Sequence, residues 1–200
     1  MVGAMRIRAA FVTFMLFAGQ AFAAGPPDAA TAPQAELAPE SRAVRLDAFF
    51  QTLKTSKDAI AAKEAEASII SLWLESGSDT VDLLMAWSLR AMQEKDYALA
   101  LDYLDRITVM EPSFAEGWNK RATVYFLLEN YARAISDIQK TLTLEPRHFG
   151  ALSGLGVIFG SLGDDRRAMD AYRQALALDP HLSNVRDALE KLQKEAERNI

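Results

Sequence analysis

The chain contains no cysteine. That absence removes disulfides, thiolate metal sites and thiol nucleophiles together, and leaves no residue for a lipid-bearing cysteine anchor. Histidine is scarce: His148 and His181 are the only two. Each falls in a link just after a proline, and neither has a third ligand at metal-binding spacing, so no metal site is expected. Positive charge is in deficit. The formal charge is -5, and setting aside Arg6 and Arg8 of the N-terminal segment takes it to about -7. A nucleic-acid ligand calls for a basic footprint, so no nucleic-acid partner is expected. Beyond the N-terminal segment, no apolar run reaches the roughly 18 residues that read as a membrane span. No serine is framed by a nucleophile motif. The glycines from Gly154 to Gly160 superficially resemble a dinucleotide fingerprint, but the spacing is one residue too long and no strand precedes them. With these signatures missing, neither catalysis nor a cofactor is expected.

What is present begins with an export-like segment, residues 1–23. Arg6 and Arg8 supply a positive start, Ala9 to Ala18 an apolar run, and Ala21-Phe22-Ala23 small residues at the -3 and -1 positions of a cut after Ala23. This predicts a cleaved secretory signal. Residues 24–40 are rich in alanine and proline and poor in large apolar groups. They cannot bury enough surface to offset ordering entropy, and read as a disordered linker. Residues 41–54 carry an apolar face of Val44, Leu46, Phe49, Phe50 and Leu53 behind a Ser41 cap. Residues 57–76 carry a second, of Ile60, Ala61, Ala65, Ile69, Leu72 and Trp73. Here Ser56 is the expected cap, and Gly77 stands where positive φ is wanted. The two predict a helical hairpin over 41–80.

From Val81 onward the chain repeats. Pro112, Pro146 and Pro180 stand 34 residues apart, each after an acidic residue and each closing an apolar helical run. The units are 81–114, 115–148 and 149–182, each two helices joined by a short turn at Glu94-Lys95-Asp96, Glu129-Asn130 or Gly163-Asp164. Numbered within the repeat, position 8 is small (Ser88, Ala122, Gly156) and position 20 is alanine (Ala100, Ala134, Ala168). These are expected to be close helix crossings. Position 4 (Leu84, Trp118, Leu152) and position 24 (Leu104, Ile138, Tyr172) are large and fill the space between helices. Ser113 and Glu116 have capping-box spacing. Residues 183–200 bring a last helix with Val185, Leu189 and Leu192 on one face and charge elsewhere, as expected of a cap that solvates the end of a stack.

This pattern resembles the tetratricopeptide repeat family, whose signature is W-x2-L-G-x2-Y, then A-x3-F, then P. The second unit matches with Trp118, Tyr125, Ala134 and Pro146. The third matches with Leu152, Leu155, Gly156, Phe159, Ala168, Tyr172, Ala175 and Pro180. The first keeps Ala100 and Pro112 but shifts its tryptophan to Trp87. Arg121 and Thr141 depart from the apolar residue and the alanine usual at their positions. The resemblance implies an all-α solenoid of helix-turn-helix units: three repeats, a divergent N-terminal hairpin that reads as an atypical repeat or cap, and a C-terminal capping helix. The chain also looks like small exported bacterial members of the family, which implies the periplasm and a protein or peptide partner. The functions so implied are an interaction scaffold of the cell envelope or, alternatively, an accessory subunit of an envelope enzyme or of a secretion or cell-wall assembly complex.

In the family, positions 2, 5, 9 and 12 of each first helix line a concave groove. Here they are Asp82, Met85, Leu89 and Met92, then Glu116, Asn119, Thr123 and Phe126, then Gly150, Ser153, Val157 and Gly160. Some members clamp a peptide carboxylate with Lys, Asn and Arg. Only Asn119 and Lys120 resemble that set, so a carboxylate clamp is not expected. Arg121 is expected to bury its stem and pair with an acid. Trp73, Trp87 and Trp118 are expected in the core.

Overall fold

A computed structural model describes residues 41–198. The expected signal segment and linker lie outside the described residues. Among the described residues every regular element is an α-helix: α1 (Arg42–Thr55), α2 (Ala59–Leu74), α3 (Asp79–Gln93), α4 (Tyr97–Met110), α5 (Ala115–Leu127), α6 (Tyr131–Leu144), α7 (Phe149–Ser161), α8 (Asp165–Leu178) and α9 (Ser183–Arg198). Helices α3 to α8 form three antiparallel hairpins. Each packs on the next through its second helix, and α9 packs on α8.

Each repeat makes its internal turn in the same way. Position 15 takes a left-handed backbone, at Lys95 (φ 60°), Glu129 (φ 58°) and Gly163 (φ 73°). Only glycine adopts this without steric cost. The next residue, Asp96, Asn130 or Asp164, then caps the second helix by accepting the N–H of Leu99, Arg133 or Arg167. The short polar side chain satisfies one of the donors a helix start leaves open. At the first two repeat boundaries the proline sits inside a tight turn. The Phe114 N–H donates to the Glu111 carbonyl at 3.0 Å, and that of His148 to Glu145 at 3.1 Å, with Pro112 or Pro146 at the second turn position that its fixed φ suits.

The crossing positions are as small as the packing requires. Ala100, Ala134, Ala168 and Ser88 have no exposed surface. At Gly156, an added Cβ would stand 2.4 Å from Cε1 of Tyr172. Positions 8 and 24 therefore trade volume: Ser88 with Leu104, Ala122 with Ile138, and Gly156 with Tyr172. Gly117 makes room in the same way for Ile107, which a Cβ would meet at 2.6 Å.

The N-terminal hairpin departs from expectation. Its helix starts at Ala59 behind Asp58, not after Ser56, which caps the end of α1. Its buried face is Ala62, Ala65, Ile69, Leu72 and Trp73, while Ile60 and Val44 are exposed. Gly77 has the expected positive φ of 84°. The hairpin does not stack on the first repeat as a preceding unit would. It docks where α5 and α7 begin, sharing one core with Phe149, Leu178 and Leu182. Arg147 fastens it, pairing with Asp47 at 2.6 Å and lying over the Phe50 ring at 4.5 Å. The anchors are aromatic and ionic contacts with the repeat links, so helical periodicity carries no trace of them. Two smaller expectations also fail. Phe114, not Ser113, occupies the N-cap of α5, and Ser113 bonds to Glu111 instead. Trp87 is exposed, held against Tyr103 at 5.7 Å, and Trp118 is half-buried.

Candidate binding groove

The expected groove residues separate into three groups. Asn119, Thr123 and Phe126 of α5 and Gly150 and Val157 of α7 line one pocket of about 130 Å³, completed by Ala122, Ile138, Ala151, Gly154 and Ile158. That volume is close to the roughly 150 Å³ that holds a benzene-sized group in a protein, so it suits one aliphatic or aromatic side chain. The floor is apolar. Polar groups at the wall are engaged within the fold: the Thr123 hydroxyl donates to the Asn119 carbonyl at 3.0 Å, and the Asn119 amide to Glu116 at 3.1 Å. Phe126 is half-buried, 6.0 Å from the Tyr131 ring.

The second group belongs to the fold. Met85 is buried, at 2 % exposure, because its side chain completes the first repeat's core with Leu84, Leu104 and Val124. It is not a groove residue. Leu89 and Met92 pack half-buried against the same core, so the Met-rich end expected of the groove is largely closed. Asp82 accepts the backbone N–H of Ser76 at 2.8 Å and its hydroxyl at 2.6 Å, pinning the α2–α3 link. Ser153 bonds back to the Phe149 carbonyl at 2.8 Å, and Gly160 is exposed outside the pocket.

Glu116 is the third case, buried at 3 % exposure. Its carboxylate accepts Nε2–H of His148 at 2.7 Å and pairs with Lys120 at 2.8 Å. The Nδ1 of His148 accepts the Ala151 N–H at 3.1 Å. This places the ring proton on Nε2 and makes His148 the cap of α7. Trp73 stacks on that ring at 4.1 Å and 12°. Burial alone would push the Glu116 carboxyl up, but the bonds from His148 and Lys120 outweigh it and hold the group below the usual carboxylate range. Glu116 therefore lies beneath the groove as a structural charge. Trp73, Glu116 and His148 are remote from one another in sequence, so no sequence signal pointed to their contact.

Arg121 behaves as expected. It makes a two-pronged bond to Asp137 at 2.7 and 2.9 Å and reaches Asp105 at 2.8 Å and Thr108 at 2.9 Å, under the Trp118 ring. It thus ties α5 to α4 and α6. Lys120 pairs with Glu116 and Arg121 with Asp137, so both cations are engaged within the fold. The pocket walls outside the expected groove positions, Ala122, Ile138, Ala151, Gly154 and Ile158, lie at positions 8, 24, 3, 6 and 10. Positions 3 and 10 hold Gly117, Ala151, Val124 and Ile158 in the second and third repeats, a small-and-apolar signal that could have found Ala151 and Ile158.

These features define a stack of helical hairpins with an apolar pocket between α5 and α7. The tetratricopeptide repeat family model matches residues 85–142 and 128–183. A TPR repeat-containing protein of Rhizobium etli is 42% identical over 136 residues, covering 68% of this chain and 67% of that protein. The small glutamine-rich tetratricopeptide repeat-containing protein 2 of Saccharomyces cerevisiae is 27% identical over 140 residues, which is 70% of this chain but 39% of that protein. Among solved structures, the first TPR of Spaghetti (RPAP3) bound to an HSP90 peptide superimposes with a TM-score of 0.56 at 22% identity, covering 58% of this chain and 93% of that one. MamA does so with a TM-score of 0.56 at 18% identity, covering 71% and 86%. The chain belongs to the tetratricopeptide repeat family. Proteins of this family generally mediate protein–protein interaction.

Proposed function

We propose that this protein is a non-catalytic interaction module whose α5–α7 pocket holds an apolar side chain of a partner segment. The observation that carries the reading is the pocket itself: a benzene-sized, apolar recess formed by Phe126, Ile138, Val157 and Ile158 between α5 and α7. A helix or extended segment with one large apolar anchor fits such a recess. Related folds lend support, since the Spaghetti domain is bound to an HSP90 peptide and a Sti1 domain of yeast is in complex with Hsp70.

The place of action we propose is the bacterial periplasm, on the strength of Arg6, Arg8, the apolar run to Ala18 and Ala21-Phe22-Ala23. There the module would join or regulate an envelope assembly. The runner-up is an accessory subunit of an envelope enzyme or of secretion or cell-wall machinery. Crosslinking in envelope extract tests both. Capture of a defined partner that is lost in Phe126→Asp and in Val157→Asp, with helix content unchanged by circular dichroism, is the expected result. Capture unaffected by either substitution overturns the groove reading. A hydrolase or synthase as the sole captured partner favours the runner-up. A mature N-terminus remote from Ala24 overturns the cut after Ala23.

A further inference from the structure

The three repeats can be compared position by position for what lies on the side facing the preceding unit. In the second repeat, position 3 (Gly117) abuts Ile107 of α4, position 7 (Arg121) binds Asp105 and Thr108 of α4, and position 10 (Val124) is part of the first repeat's core. In the third, positions 3 and 10 (Ala151 and Ile158) are part of the second repeat's core. These positions therefore form the stacking face. In the first repeat they are Leu83, Trp87 and Arg90. Leu83 is 49% exposed and Trp87 45%, because the N-terminal hairpin docks at the starts of α5 and α7 instead of here. Beside them Leu99 and Tyr103 of α4 join Trp87, Arg90 and Glu94 around a shallow hollow.

We propose that this α3–α4 face is a self-association surface, on which a second copy of the chain docks by the same face about a two-fold axis. Two observations select a second copy. The opposite end of the stack is closed by α9, whose outer side carries exposed Asp187, Glu190, Lys191 and Lys194. A head-to-tail arrangement would set an apolar face against a charged one, so the symmetric pairing, which closes on itself, remains. The charges are self-complementary. Arg90 and Glu94, 2.9 Å apart on one helix, rim the apolar centre, and a two-fold axis can set each against the opposite sign on the other copy. A partner with a rim of one sign would face a like charge at one of them.

The size of the face sets the strength. Helix α3 is about 22 Å long and a two-helix face roughly 20 Å wide, giving ~440 Å² in projection per copy. This is below the roughly 800 Å² per partner of a standard interface, so the association is expected to be weak and concentration-dependent.

The test is sedimentation velocity on the protein purified as it accumulates in its cell, from about 1 to 200 µM. A monomer–dimer equilibrium is expected. Trp87→Asp should abolish it, and Arg90→Glu should weaken it about tenfold or more. The charge swap Arg90→Glu with Glu94→Arg should restore association. Circular dichroism checks each fold, and the exposed-site variants Leu83→Asp and Arg90→Glu carry the test if Trp87→Asp does not fold. A monomer at every concentration overturns the proposal, whatever other protein the face captures. A dimer indifferent to Trp87→Asp and Leu83→Asp overturns it as well, since its contact lies elsewhere.

Discussion

Gly156 and Tyr172 offer the sharpest test of the packing argument. In Gly156→Ala the new methyl would lie 2.4 Å from Cε1 and 2.5 Å from Cδ1 of Tyr172. Overpacking of this kind costs about 1–3 kcal/mol, and such a gap belongs at the top of that range. Alanine also returns about 1 kcal/mol of helix propensity, so the net loss should be about 2 kcal/mol. Tyr172→Ile alone leaves a void over the glycine and should cost about 2–3 kcal/mol. The double variant reproduces the Ala122–Ile138 pair of the second repeat. The clash disappears, the methyl fills part of the void and the propensity gain remains, so the total loss should be only about 1–1.5 kcal/mol. The coupling is then about 3 kcal/mol, the upper end for residues in contact. Urea unfolding followed by circular dichroism measures all four proteins, with equal slopes as the check that the transition is unchanged in kind. Coupling below about 0.5 kcal/mol would refute the idea that positions 8 and 24 trade volume. So would a Gly156→Ala variant more stable than the parent, which would mean that propensity outweighs the crossing.

Three other outcomes follow from the same structure. Glu116 is ionised with a folded-state pKa below its unfolded one. Its contribution is therefore present above the usual carboxylate range and lost as pH falls through the lowered value, so acid titration of stability should flatten in that range in Glu116→Gln. Arg121→Ala leaves Asp137 buried without its cation and should cost about 3–5 kcal/mol, whereas Arg121→Ala with Asp137→Ala should cost clearly less than the sum of the two single changes in the same urea assay. Lys95→Gly and Glu129→Gly relieve left-handed backbones at φ near 60° and should each raise stability by up to about 1 kcal/mol, with a lower melting temperature counting against the strain argument.

Much of this molecule could be read along the chain because its contacts are short in sequence. The period of 34 places Pro112, Pro146 and Pro180, the small crossing residues and the turn-and-cap pairs in one register. Helices α4, α6 and α8 each start directly after the expected turn and end just before the acidic residue that precedes the proline. Arg121, a charge in an apolar stripe, implied an acid in reach, and Asp137 and Asp105 supply it. The groove was legible only in part. Helical spacing names which residues share a face but not how deep the neighbouring hairpin sets them, and depth divided Phe126 and Val157, at the pocket, from Met85 and Glu116, within the fold. The docking of α1–α2 left no periodic trace, since it rests on Trp73 stacked over His148 and Arg147 joined to Asp47, pairs brought together from distant parts of the chain. Nearest-neighbour stacking is encoded locally and repeats. The placement of a non-repeating element is a property of the assembled surface, and here that placement uncovered Leu83 and Trp87 at the first repeat.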